Sequence, residues 1–297
     1  MARSIKAKAP TVGQFFSETA RKFAAAKLAY GHGTTNARDE AAFLVLEGLG
    51  LPIDQLDPHR DRPLTPVEQR KLARLVDRRI EERLPLPYLV GAAYMHGVRF
   101  KADRRALIPR SFIGDMLVDG VLPIATPVRR VLDLCTGGGS LAVLAAMVFP
   151  EARVDAVDLS APALALAREN VKAHRLGRRI ALHRGNLFAP VKGRRYDLIV
   201  SNPPYVDSGG LKRLPREYRH EPRLALAAGR DGIDLVRRIL DEAPQHMTKD
   251  GALLCEIGRG RALLEKAHPR TPFMWLDTER STGEVFWLDA RDFRGRR

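Results

Sequence analysis

A chain of 297 residues exceeds the usual single-domain size, so two domains of unequal length are expected. Apolar residues make up 45%, enough for a real core, and the longest unbroken apolar run, Leu141–Phe149, is far too short to cross a membrane. The net charge of +15 favours anionic surroundings such as nucleic acid or a ribosomal particle, although positive residues spread from Arg3 to Arg297 equally suit arginine on every solvated face.

The basic stretch Met1–Pro10 lacks the apolar segment and cleavage site of a secretory signal. Only two cysteines occur, Cys135 and Cys255, each within an apolar, strand-like segment. Two buried thiols suit a reducing cytoplasm rather than a disulfide framework.

From Thr11 to about Glu82 the apolar spacing is helical, with Phe15, Phe16 and Phe23, then Ala41, Leu44, Val45 and Leu49 after a Gly31–Gly33 break. Asp39 and Glu40 fall in the first turn of the second helix, where negative charge suits the dipole. Thr65-Pro66-Val67-Glu68 opens a third helix, with Thr65 as N-cap, Pro66 at the first position and Glu68 closing a capping box. Residues 1–84 therefore read as a helical recognition domain without visible chemistry. Pro85, Pro87, Gly91 and Gly97 interrupt the pattern, and 85–110 reads as a linker with a hairpin near Ala93–Lys101. The remainder, 111–297, reads as the catalytic domain.

There the rhythm becomes strand, turn, helix. Val131–Leu134, Val154–Val157, Ile180–Leu182 and Asp197–Val200 read as strands, with helices at Leu141–Phe149 and Ala161–His174. Such alternation predicts an α/β fold with a parallel sheet covered on both faces.

The segment Asp133–Ser140 joins the first of these strands to its helix and contains Gly137-Gly138-Gly139. Glycines let a backbone approach a ligand closely, and doubly wound sheets bind ligands at the carboxyl ends of their strands. Asp158 closes the next strand, nineteen residues after Gly139, where a carboxylate accepts both hydroxyls of a ribose. A helix-capping role for Asp158 is the plainer reading, but Ser160, ahead of Pro162, already fills it. The pair signals a nucleoside cofactor and leaves nicotinamide, flavin and S-adenosylmethionine open. The missing G-x-G-x-x-G spacing counts against a dinucleotide.

Asn202-Pro203-Pro204-Tyr205 follows the fourth strand, again at a carboxyl edge. A stiff turn is the plain account, yet it leaves unexplained why an amide, a rigid backbone and an aromatic ring arrive where a sulfonium would sit. The Asn202 side-chain oxygen and the Pro203 carbonyl can each accept one N–H of a substrate amide. That fixes a poor nucleophile and aims it, so catalysis is positioning plus electrostatics. Tyr205 would wall the pocket against the planar amide.

With these motifs the sequence resembles the class I methyltransferases that act on protein glutamine, and within them the ribosomal protein L-three glutamine methyltransferases. The resemblance runs from about Tyr88 to the C-terminus and rests on Ile108-Pro109-Arg110-Ser111, Asp133–Gly139, Asp158, Asn202–Tyr205 and the run Leu214–Pro222. Relatives that methylate release factors usually carry Ile-Pro-Arg-Pro and then an acidic stretch, where Ser111-Phe112-Ile113-Gly114 stands here. The resemblance implies a Rossmann-like methyltransferase sheet behind a small helical domain, with S-adenosyl-L-methionine as cofactor and S-adenosyl-L-homocysteine as product. Asp133, Thr136, Gly137, Gly138 and Gly139 would border its methionine part, Asp158 and Leu159 its ribose, Asn186 and Leu187 its adenine, and Asn202 its reacting end. Relatives commonly have aspartate where Asn186 stands; asparagine keeps one acceptor and adds a donor. Arg110 is expected at the edge of the substrate pocket. His220 and Glu221 read better as ties for a loop than as an acid–base pair, because amide methylation needs no strong base beforehand. No metal site is expected.

The implied substrate is a glutamine of a large-subunit ribosomal protein. Competing readings are glutamine methylation of a peptide chain release factor, adenine-N6 methylation of nucleic acid with Tyr205 stacked on a flipped base, and a non-catalytic assembly factor. A basic enzyme repels a free basic ribosomal protein, so the substrate is expected beside rRNA in a precursor particle. The helical domain is the expected docking surface, through Lys6, Lys8, Arg21, Lys22, Lys27, Arg70, Lys71, Arg74, Arg78 and Arg79. Its deletion is expected to spare cofactor binding.

Overall fold

The computed structural model of the chain describes residues 9–124 and 126–293. It divides into two compact units. The first runs to Ala92 and takes in Pro215–His220; the second comprises Ala93–Leu214 and continues from Glu221. Residues 85–110 are thus shared between them.

The first unit packs helices α1 (Val12–Ala25), α2 (Ala37–Leu49) and α3 (Pro66–Glu81) with the single turn α4 (Leu86–Val90). Thr11 with Gln14 and Thr65 with Glu68 form capping boxes at α1 and α3, and Asn36 caps α2. Phe16, Phe23, Leu44, Leu64, Leu72 and Val76 are buried. The unit also buries charge. Glu40 lies in the first turn of α2 but serves more than the dipole: it accepts from Arg79 Nε at 2.5 Å and Thr34 Oγ1 at 2.8 Å. Arg79 is fully buried, donates to the Ala29 carbonyl at 3.0 Å and lies 3.5 Å from Glu217, on the turn Glu217–His220. Glu217 also accepts from the Ala29 amide and from Arg83. Arg79 is therefore an internal cation, not the docking charge expected of it. Lys6 and Lys8 lie outside the described residues.

A hairpin, β1 (Ala92–Met95) and β2 (Val98–Lys101), begins at the last residue of the first unit's main stretch and lies otherwise in the second. His96 and Gly97 both take positive φ, the geometry of a two-residue hairpin turn. Helix α5 (Phe112–Val118) leads into β3 (Arg130–Leu134), α6 (Ser140–Val148), β4 (Arg153–Asp158), α7 (Ala161–Ala173), β5 (Ile180–Arg184) and β6 (Tyr196–Ser201). Then come α8 (Ser208–Arg213), α9 (Asp234–Glu242), β7 (Met247–Glu256), α10 (Arg261–Ala267), β8 (Met274–Thr278) and β9 (Ser281–Asp289).

The seven strands lie in the order β5-β4-β3-β6-β7-β9-β8. Successive residues of a strand face opposite layers: Val131 and Leu198 pack with α5, α6 and α7, while Leu132 and Ile199 pack with α9 and α10. The parallel sheet expected from sequence holds for β5 through β7 only; β9 is antiparallel to both neighbours. The cause is local, because the short turn at Glu279 and Arg280 leaves no room for the crossover that parallel pairing needs.

Candidate active site

A cleft opens along the carboxyl ends of β3, β4, β5 and β6, wholly within the second unit. Among the expected residues, Gly137, Asp158, Leu159, Asn186, Leu187, Asn202 and Pro204 line it. Asp133, Thr136, Gly138, Gly139, Arg110, Pro203 and Tyr205 are not among its lining residues.

The β3–α6 turn is a strained piece of backbone. Cys135, Gly137 and Gly139 all adopt positive φ, at 59°, 56° and 81°. Gly139 is the N-cap of α6 and offers no side-chain cap; a Cβ there would lie 3.1 Å from Ala167 Cβ on α7. Cys135 reaches the cleft instead of lying buried in a strand, and Leu187, the other cleft residue at positive φ without being glycine, sits at 46°. Left-handed backbone at two non-glycine residues of one cleft is strain held by its surroundings. Partial burial, with Asp158 and Asp133 nearby, pushes the Cys135 thiol far above its ordinary range.

Asp158 bridges two strand ends. One carboxylate oxygen accepts the Gly137 amide at 2.8 Å and the other the Ser160 amide at 2.8 Å. Ser160 itself caps α7 through the Ala163 amide. Each oxygen of Asp158 keeps a further lone pair, which is what vicinal ribose hydroxyls require. Burial raises its pKa, opposed by the Ser160, Gly137 and Leu159 amides. Asp133, behind the turn, is fully buried: one oxygen accepts from the Thr136 hydroxyl and Oδ1 has no hydrogen-bond partner among the described residues. Burial raises its carboxyl to about 7, against the pull of Thr136.

At the far end, Asn186 is exposed and its Oδ1 accepts from Arg238 of α9 at 3.3 Å. Leu159 and Leu224 are 52% and 55% exposed at the cleft, beside Leu187 and Leu235. Two large apolar side chains left open beside a ribose-type acceptor fit a flat heteroaromatic ring.

The side-chain amide of Asn202 makes no hydrogen bond among the described residues, and with Pro204 it faces the cleft. Tyr205 turns away: its hydroxyl donates to Glu256 Oε1 at 3.2 Å, and its ring lies over Gly258, where a Cβ would meet it at 2.7 Å. Glu256, at the end of β7, is fully buried. Its second oxygen accepts the Ser111 hydroxyl at 2.6 Å and the Phe112 amide at 3.0 Å. Burial lifts its pKa to about 7.

Arg110 is a bidentate partner of Glu221, 2.6 Å on each arm, and Glu221 also accepts the Ile108 amide at 3.1 Å. That tie brings Pro222, Leu224 and Ala225 onto the cleft wall. His220 meets the Glu82 carbonyl at 3.0 Å. Sequence reading missed Glu256, Gly258, Leu224, Leu235 and Arg238. Of these, only the apolar run ending at Cys255-Glu256 carried a usable signal, an acid closing a buried strand.

Two family models match the chain: the Methyltransferase small domain over residues 115–214 and the PrmC N-terminal domain over residues 19–91. The ribosomal protein uL3 glutamine methyltransferase of Bradyrhizobium diazoefficiens is 51% identical, covering 91% of this chain and 88% of the relative. The protein of the same name from Burkholderia pseudomallei is 48% identical, with 95% of each covered. That from Bordetella pertussis is 50% identical over 89% of this chain and 90% of the relative.

Proposed function

The chain belongs to the ribosomal protein uL3 glutamine methyltransferases, and on that footing we propose that it methylates the side-chain amide nitrogen (N5) of a glutamine in uL3. The methyl donor is S-adenosyl-L-methionine and the product S-adenosyl-L-homocysteine. Asp158 takes the ribose hydroxyls, Leu159, Asn186 and Leu187 border the adenine, and the Asp133–Gly139 turn borders the methionine part. The unpartnered oxygen of Asp133 is an acceptor suited to an ammonium group. The donor supplies an electrophilic methyl group when bound.

The observation that carries this reading is the Asn202 amide, unengaged and facing the same cleft as Asp158. Asn202 Oδ1 and the Pro203 carbonyl accept the two N–H bonds of the substrate amide, fix its nitrogen and favour lone-pair character on it. Pro204 forms the wall beside it. Tyr205, locked by Glu256 and Gly258, keeps the backbone of this segment from shifting. The new N–C bond replaces the S–C bond, and the nitrogen's spare proton leaves to solvent. No covalent enzyme intermediate is needed.

The test is labelled methyl transfer to isolated uL3, to a release factor and to DNA. Label on the uL3 glutamine is expected. Asn202→Ala should cut turnover at least ~100-fold while leaving donor affinity nearly intact, as for loss of one preorganised polar group. Near-parental turnover would sink the amide clamp, and label on DNA adenine would replace the substrate assignment. We further propose that the enzyme meets uL3 beside rRNA, a reading supported by the net charge of +15.

A further inference from the structure

The second unit carries a groove that shares no residue with the cleft. Helix α7 and the turn leading into β5 bound it, and Val171, Ile180 and Leu182 form its apolar floor. Its rim is cationic: Arg168 and Lys172 stand one helical turn apart on α7, Arg175 follows at the helix end, and Arg178 lies in the turn. None of these four has an ion pair or side-chain hydrogen bond among the described residues. The only carboxylate of α7, Glu169, is held elsewhere by Lys101 and Arg105.

Some arginines elsewhere are held by a carboxylate, as these four rim cations are not. Arg62, Arg78, Arg237 and Arg261 are each paired with a carboxylate. Like charges four apart on a helix repel, so the unneutralised Arg168 and Lys172 work against folding. The helix dipole explains part of it, since cations are favoured at a C-terminus. That effect fades within the last turn and does nothing for Arg178, beyond the helix, or for Arg168, further back. Arg168 and Lys172 lie about 6 Å apart along the helix at 1.5 Å per residue, and Arg175 and Arg178 carry the rim on past its end, a row suited to successive phosphates of a strand rather than to one.

We propose that this groove binds the phosphate backbone of RNA. The choice of RNA among polyanions rests on the reading above that the substrate is a ribosomal protein. The contact then lies on the catalytic unit itself, apart from the helical unit.

A labelled single-stranded RNA oligomer, followed by fluorescence anisotropy across a salt series, tests it with two charge-matched triple variants. Arg168→Gln/Lys172→Gln/Arg178→Gln removes three rim charges; Arg70→Gln/Lys71→Gln/Arg74→Gln removes three exposed charges from α3. The rim variant should bind RNA at least ~10-fold more weakly and lose about 2 from the slope of log affinity against log salt, at roughly 0.7 per single-strand phosphate. The α3 variant should change less than ~3-fold on the same basis. Calorimetry with S-adenosyl-L-homocysteine, unchanged in both, excludes misfolding. Equal losses in the two variants, or none in the rim variant, would overturn the proposal. So would anionic-lipid vesicles that bind the parent and lose the rim variant while RNA binding persists. A parent that binds RNA through the rim yet methylates no uL3 upholds the groove and defeats the proposed function alone.

Discussion

Asp158 does two things with one carboxylate: it fixes the glycine turn and the start of α7, and it presents its remaining lone pairs to the cleft. Asp158→Ala should therefore weaken donor binding by about 2 kcal/mol, the usual range for hydrogen bonds to a charged group, or close to 30-fold. Asp158→Asn keeps the shape but turns an N–H toward one of those amides, so it should lose affinity as well. Calorimetry that finds either variant unchanged removes Asp158 from the site. Glu256 makes a prediction of a different kind. Burial raises its pKa from 4.5 to about 7, so the folded chain holds this proton more tightly than the unfolded one. The resulting stability is complete below pH 4.5 and is lost as pH rises to about 7. Glu256→Gln cannot titrate there. Urea unfolding should show the parent losing ground to the variant between mildly acidic and neutral pH, with no further drift above. Parallel curves would mean that Glu256 ionises in the fold as it does in the unfolded chain.

Among the elements, α2 and α3 are joined by the buried ion pair of Glu40 and Arg79, and the turn Glu217–His220 adds a second carboxylate. Arg79→Ala leaves two buried acids without their cation and should cost about 3–5 kcal/mol, read from urea unfolding of the full chain. A loss below ~1 kcal/mol would mean the acids find other partners or water, as exposed pairs do. None of this pairing was legible beforehand, because Glu217 and Arg79 are far apart in sequence and charged residues ordinarily read as surface. Signals confined to a few residues were legible. The Thr65–Glu68 capping box, the β3 and β4 strands, the glycine turn and Asn202–Tyr205 each declare themselves locally. What escaped is long-range: Ser111 reaches Glu256 across 145 positions and Tyr205 reaches it across 51. The start of β7 escaped because Thr248, Lys249 and Asp250 make it polar, although the second half, around Cys255, reads as an apolar strand and is buried. The edge β8–β9 depends on hairpin pairing that no apolar period reports.

Over the whole molecule the excess of fifteen positive charges predicts how the substrate is met. Methylation of rRNA-containing precursor particles should fall steeply from low to moderate salt, since counterions displaced from phosphate gain less entropy as the bulk salt rises, whereas methylation of free uL3 should not fall, because salt screens its repulsion from the like-charged enzyme. Flat behaviour for particles would leave recognition to shape alone. The path of the chain has one more consequence. The helical unit is not a continuous stretch, because the backbone crosses between units after Ala92, after Leu214 and again after His220. Cutting the gene at codon 92 thus makes two incomplete products. The shorter keeps Arg79 and Arg83 but lacks Glu217; the longer keeps Pro215–His220 without its partners, tethered next to the Glu221–Pro222 link that shapes the cleft wall. Contrary to the expectation from sequence, the longer fragment should bind the donor more weakly than the intact chain. Supplying the shorter fragment in trans should restore that affinity, as in split-protein complementation, and calorimetry on the mixed fragments reads the result.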